Sequence, residues 1–142
     1  MSRTLRSCAR SATIEFGTLF SSAAASIGER AYIGPRCHIG WAVIGDNALL
    51  AAGVHVLSGA KTYGIDDLTI AIRDQPTTKS PVTIGAGTWI GSAAVVMADV
   101  GCHTVVAAGA VVTRPLPDYT IAGGVPARVL RYRDPRLDER TA

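Results

Sequence analysis

Residues 27–56 read IGERAYIGPRCHIGWAVIGDNALLAAGVHV, and their spacing decides the fold. Aliphatic residues recur every six positions at Ile27, Ile33 and Ile39; one step of five reaches Ile44, and sixes resume at Leu50 and Val56. The beat returns at Ile84, Ile90 and Val96, takes a short step to Val100, and continues at Val106 and Val112. Ile14 and Phe20 are weaker members upstream. Six is neither the period of a helix nor the alternation of a strand. The residue two places earlier is often small or apolar, as at Ala31, Cys37, Ala48, Val54, Thr88, Ala94 and Ala110. Two inward side chains per repeat, with a turn between repeats, describe one flat wall of a solenoid, whose coils bury their apolar faces only against one another. Glycine follows many of the beat residues (Gly28, Gly34, Gly40, Gly45, Gly85, Gly91, Gly101) and is expected to let the chain bend at each corner. Pro115, Pro117 and Pro126 are expected to stop the coil.

The 142 residues suit one domain, 1–142, with a loop insertion at about 60–80 and a closing segment at about 115–142. Nearly half the residues are apolar and few are aromatic, so the core must be built from Val, Ile, Leu and Ala. A chain this short buries a modest share of its surface and gains from oligomerisation. The net charge is +3, with Arg3, Arg6 and Arg10 at one end and Arg128, Arg131, Arg133, Arg136 and Arg140 at the other. Aromatics do not alternate with these arginines and zinc-finger spacing is lacking, which argues against nucleic acid as a partner. Cys8, Cys37 and Cys102 are odd in number and form no CxxC pair, so neither a disulfide framework nor a thiolate metal site is expected. Reduced thiols fit the cytoplasm. The first 17 residues lack a signal-type apolar run, and no segment approaches membrane-spanning length. A soluble cytoplasmic protein without membrane insertion is expected.

The C-terminal half carries more than a beat. Pro81-Val82-Thr83-Ile84-Gly85, Trp89-Ile90-Gly91-Ser92, Val111-Val112-Thr113-Arg114 and Ala122-Gly123-Gly124-Val125-Pro126-Ala127-Arg128-Val129-Leu130-Arg131 follow one another in order. In this order they resemble the hexapeptide-repeat acyltransferases, in the branch of maltose, galactoside and polysaccharide O-acetyltransferases. The resemblance covers about residues 24–131. It implies an all-β fold, a left-handed parallel β-helix with three hexapeptides per turn, a long inserted loop and a short C-terminal segment. Periodicity alone does not give the hand, which runs against the usual crossover rule. The resemblance further implies a homotrimer with active sites in clefts between chains. It also implies acetyl-coenzyme A as acyl donor, a hydroxyl of a sugar or polysaccharide precursor as acceptor, and no metal.

An alcohol attacks a thioester only as its proton is being removed, and imidazole suits that task near neutral pH. Relatives resembling this chain usually carry a histidine four residues beyond a Ser-Gly or Thr-Gly pair at the end of the first repeat block. Here the pair is Ser58-Gly59 and the matching residue is Tyr63; the loop contains no histidine. A phenol releases its proton only near about pH 10, so tyrosine suits hydrogen-bond donation better than proton abstraction. Three readings stay open. Tyr63 replaces the histidine, His55 supplies the base, or the chain is a catalytically impaired homologue acting as a trimeric scaffold or coenzyme A-binding partner. His55 precedes Val56 as His38 precedes Ile39, so a three-walled coil stacks the two histidines on one outward edge.

For the donor, the resemblance implies that Ser92 and Ala108 contact the pantetheine arm. It implies that Thr113 and Arg114 stand where relatives carry Thr-Lys, and that Arg128 and Arg131 supply further charge for phosphates. The loop is either a solvated insertion or, as the resemblance implies, an arm that reaches toward a neighbouring chain and helps form the acceptor pocket. Three histidines in a trimeric β-helix also raise a zinc hydratase resembling gamma-class carbonic anhydrases, although His103 lies far along the chain and that family's ligand spacing is absent.

Overall fold

A computed structural model describes residues 5–138; Arg3 and Arg140 of the terminal arginine clusters lie outside them. Short strands stack into three parallel walls. The first wall contains Ser7–Cys8, Ser26–Ile27, Ala42–Ile44 and Val82–Ile84, and single bridges at Val100 and Leu116 extend it. The second contains Thr13–Ile14, Tyr32–Ile33, Leu49–Leu50, Trp89–Ile90, Val105–Val106 and Thr120–Gly123. The third contains Leu19–Phe20, His38–Ile39, His55–Val56, Val95–Val96 and Val111–Val112. Successive beat residues fall on successive walls, so three repeats make one turn. The walls close into a left-handed parallel β-helix of about six turns.

The beat residues meet along the axis. Ile33, Ile39, Leu50, Val56, Ile84, Ile90 and Val96 are fully buried, and so are their smaller partners at Ala31, Cys37, Val54, Thr88, Ala94 and Ala110. Burying one large aliphatic side chain contributes about 1.5–3 kcal/mol, so repetition of this one contact is the main source of stability. Ile14, in the first described coil, stays exposed. That coil also includes Ser7–Cys8, which the repeat does not reveal.

The glycines work differently from the expectation. Positive φ falls two residues after the beat glycine, at Arg30, Asn47, Gly87 and His103, and at Tyr119 two residues after Pro117, all on one corner. The beat glycines are needed for stacking instead. A Cβ on Gly45 would lie 2.6 Å from the Ala86 nitrogen, one on Gly85 2.5 Å from the Cys102 nitrogen, and one on Gly101 2.5 Å from the Asp118 nitrogen. The next residue in this column is Pro117. It also corrects the expectation that Pro115 and Pro117 end the coil, since Leu116 still bridges Val100 and Thr120–Gly123 still pairs with Val105–Val106. Gly101 donates its N–H to Leu116 in the coil above. Among the described residues no further coil continues this wall beyond position 117, so both the lost N–H and the added ring are tolerated. The parallel coil ends after Gly123, where Arg128–Tyr132 folds back antiparallel on Thr120–Gly123. A short helix, Pro135–Asp138, follows.

Cys37 is buried in the core, and burial raises its thiol pKa. Its thiol also donates to the Ala51 carbonyl at 3.2 Å. Cys8 is exposed. Since the thiolate is the reactive form, iodoacetamide at pH 8 should label Cys8 and leave Cys37 unmodified in the folded protein. Mass spectrometry of tryptic peptides reads the outcome, and equal labelling would contradict the packed core.

Candidate acyl-transfer site

The inserted segment leaves the third wall after Val56 and rejoins the first wall at Val82. It is a hairpin arm. Ser80 donates its N–H to the Ser58 carbonyl (3.0 Å), Thr78 to Thr62 (2.9 Å) and Gly64 to Pro76 (2.9 Å). Tyr63 and Thr77 form an antiparallel bridge within this stem. The tip holds a 3-10 turn at Ile72–Asp74, and Ile65, Leu68, Ile70 and Ile72 are exposed on it. Between arm and coil lies a cavity of about 950 Å³, lined among others by Leu57, Lys61, Tyr63, Asp66, Gln75 and Met97. Asp67 also lines it. The Asp67 carboxylate accepts the Thr69 hydroxyl (2.6 Å) and N–H (2.9 Å), which hold its pKa below the ordinary value.

The third wall leads from this cavity toward the expected donor residues. Leu57 and Met97 directly follow the wall strands, and Met97 donates its N–H to the Val112 carbonyl, one residue before Thr113. Thr113 and Arg114 are exposed at that same edge. At the opposite edge Ser92 and Ala108 occupy successive coils, and Gly109 donates its N–H to the Ser92 carbonyl at 2.9 Å. Small side chains at this corner keep both positions open. Among the described residues Arg114, Arg128 and Arg131 make no ion pair, whereas Arg136 is held by Asp134 at 2.7 Å. Arg128 and Arg131 lie on the closing strand, opposite Gly123 and Ile121 of the second wall.

His38 and His55 are paired in register, their rings edge to face at 5.7 Å, as the repeat count predicts. They lie on the flat third wall rather than at a corner. His55 sits next to Val95 in the adjoining coil. It does not line the arm cavity, while Tyr63 does. The structure therefore separates the two candidate bases: Tyr63 is in the arm and His55 is on the wall. His103 is elsewhere, at the corner between the first and second walls, stacked on Tyr119 at 4.9 Å. Among the described residues of this chain, no three His, Cys, Asp or Glu side chains gather into a metal-binding group. Nothing in the sequence marks Leu57, Met97 or Gln75; only the folded arm brings them to the cavity.

A three-walled coil of hexapeptides, interrupted by one arm and closed by an antiparallel strand, defines a hexapeptide-repeat β-helix protein. Two family models agree: bacterial transferase hexapeptide (six repeats) matches residues 24–58, and hexapeptide repeat of succinyl-transferase matches residues 81–114. Over these two stretches the chain carries the hexapeptide repeat of bacterial transferases. It is 40% identical over 92 residues to the Mycobacterium tuberculosis protein named Probable acetyltransferase Rv3034c, a match covering 63% of this chain and 30% of that protein. It is 45% identical over 53 residues to the Escherichia coli galactoside O-acetyltransferase, covering 36% of this chain and 26% of the relative. The matches thus span less than a third of these curated relatives. The crystal structure of a maltose O-acetyltransferase from Clostridium difficile 630 superimposes with a TM-score of 0.76 at 27% identity, covering 87% of this chain and 67% of that one. A galactoside acetyltransferase in complex with coenzyme A gives 0.76 at 28% identity, covering 92% and 66%. No helix among the described residues is long and apolar enough to cross a membrane.

Proposed function

We propose that this chain is an acetyl-coenzyme A-dependent O-acetyltransferase acting on a hydroxyl of a sugar or polysaccharide precursor, with residues 1–142 working as one domain. The observation that carries this reading is the third wall. It joins an arm cavity large enough for a sugar to an exposed strip bounded by Ser92 and Ala108 on one side and Thr113 and Arg114 on the other. The strip takes the pantetheine arm, and Arg114, Arg128 and Arg131 take phosphates. His55 accepts the proton from the acceptor hydroxyl as its oxygen attacks the thioester carbonyl. The C–S bond then breaks, and the coenzyme A thiolate leaves and takes up that proton. Backbone N–H groups near Ser92 meet the charge developing on the carbonyl oxygen. Tyr63 orients the acceptor by donating a hydrogen bond. Support comes also from the coenzyme A complex of the galactoside acetyltransferase, a structural relative.

The active assembly in this reading is a homotrimer. Exposed aliphatics on the arm tip, and half-exposed Leu49 and Trp89 on the second wall, provide apolar surface for association. A cytoplasmic location suits the donor and the three free cysteines. Thiol release from acetyl-coenzyme A, measured with and without a panel of sugars, tests the activity. Release that no sugar stimulates would leave a coenzyme A-binding scaffold.

Arg114→Ala should weaken coenzyme A binding by about tenfold to a hundredfold, the worth of a charge-assisted hydrogen bond. Calorimetry reads the affinity and light scattering the assembly. Unchanged affinity would remove Arg114 from the donor site.

A further inference from the structure

Gln75 is the one buried residue in the arm between Ala60 and Pro81. Its side-chain amide donates from Nε2 to the Asp67 carbonyl (2.8 Å) and to the Ile70 carbonyl (3.4 Å), while Oε1 accepts the Asp67 N–H (3.2 Å). The amide thus pairs with the backbone of Asp67 as a neighbouring strand would. Gly64 makes room for it: a Cβ there would meet the Gln75 Cβ at 3.2 Å and its Oε1 at 3.3 Å. The rest of the tip has no core, since Ile65, Leu68, Ile70 and Ile72 all face solvent.

An exposed loop of this length loses considerable backbone entropy on being fixed, and its largely exposed apolar side chains offset little of that. The buried amide is the remaining device that ties residue 67 to residue 75 across the loop. Those bonds fix the turn carrying Asp66 and Asp67, both of which line the cavity beside Tyr63 and Lys61. Buried hydrogen bonds that satisfy every group of a side chain specify one conformation strongly.

We propose that Gln75 is a positioning residue for the acceptor, a latch that holds the arm tip in its binding shape without touching the reacting atoms. The inference rests on the acetyl-transfer reading for its kinetic consequence, but not for its structural one. Two variants test it. Gln75→Met keeps the length of the side chain and removes all three hydrogen bonds. Gly64→Ala crowds the Gln75 side chain and the Pro76 carbonyl from the opposite strand.

Hydrogen exchange of the Asp67 amide should quicken at least tenfold in Gln75→Met. The acceptor KM should rise by a similar factor, with coenzyme A affinity and Tm unchanged. Gly64→Ala should act in the same direction, since its Cβ would press on residue 75 and on the Pro76 carbonyl. Unchanged exchange at Asp67 would overturn the latch whatever the activity. Faster exchange with an unchanged acceptor KM would overturn the positioning role. If the wild-type protein turns over no acceptor, the acetyl-transfer reading fails instead, and the exchange data then judge Gln75 alone.

Discussion

Gly85→Ala is expected to destabilise the fold by about 3 kcal/mol, the upper end of what overpacking usually costs. For a chain of this size that corresponds to a Tm lower by roughly 10 °C. The reason lies in the coil above. A Cβ on Gly85 would sit 2.5 Å from the Cys102 nitrogen and 2.7 Å from its Cα, and these are backbone atoms in the middle of the stack. They cannot turn aside as the tip of a side chain could. The coil above must lift locally, which stretches the bond from the Gly85 N–H to the Val100 carbonyl, now 2.8 Å. Gly109→Ala is the matched control. Gly109 has φ of +70° and nothing within 4 Å of its missing Cβ. Only the left-handed backbone penalty applies there, about 1 kcal/mol; Ala93 already adopts φ of 60° at the same corner. Thermal melts of the two variants, followed by circular dichroism, separate the two kinds of glycine. Equal shifts would sink the argument that stacking, rather than bending, selects the beat glycines.

That distinction shows what could be read from the sequence and what could not. The inward positions were legible because a branched aliphatic at one fixed interval has a single physical meaning, a shared interior line. The pairing of His38 with His55 followed from the same count. The role of the glycines was misread, since a one-dimensional pattern shows which residue lacks a side chain but not which neighbour occupies the space. Pro115 and Pro117 were misread for a related reason: a proline ends a wall only where its N–H would have met a coil above. In the residues themselves the arm shows as an interruption of the beat between Val56 and Ile84, with an insertion at about 60–80. Its stem rests on backbone bonds from Gly64 to Pro76 and from Thr78 to Thr62, which have no residue signature. Gln75 matters through a conformation that composition does not encode. The first coil was half hidden, because Ser7 and Cys8 carry strand geometry without an aliphatic beat.

His55→Ala is expected to lower kcat by about a hundredfold to ten-thousandfold, the usual contribution of a general base, with little change in coenzyme A affinity. His55 is exposed on the third wall, so its removal leaves no cavity and the Tm should hold. Its ring meets His38 edge to face at 5.7 Å on one side and borders Val95 on the other, and Val95 lies on the strip between the arm cavity and Ser92 and Ala108. Tyr63→Phe keeps the ring in the arm stem and removes only the hydroxyl. Its expected effect is a higher acceptor KM by about tenfold, the worth of one hydrogen bond to a substrate, with kcat reduced far less than in His55→Ala. The contrast is chemical: a base loses its effect in the rate of the bond-making step, and an orienting donor loses it largely in binding. Steady-state kinetics with the best sugar acceptor, at saturating acetyl-coenzyme A, distinguishes them. If His55→Ala retains full kcat while Tyr63→Phe abolishes turnover, proton removal belongs to the arm and the wall histidines are structural. If both variants keep wild-type rates, neither group is the base, and both assignments fail.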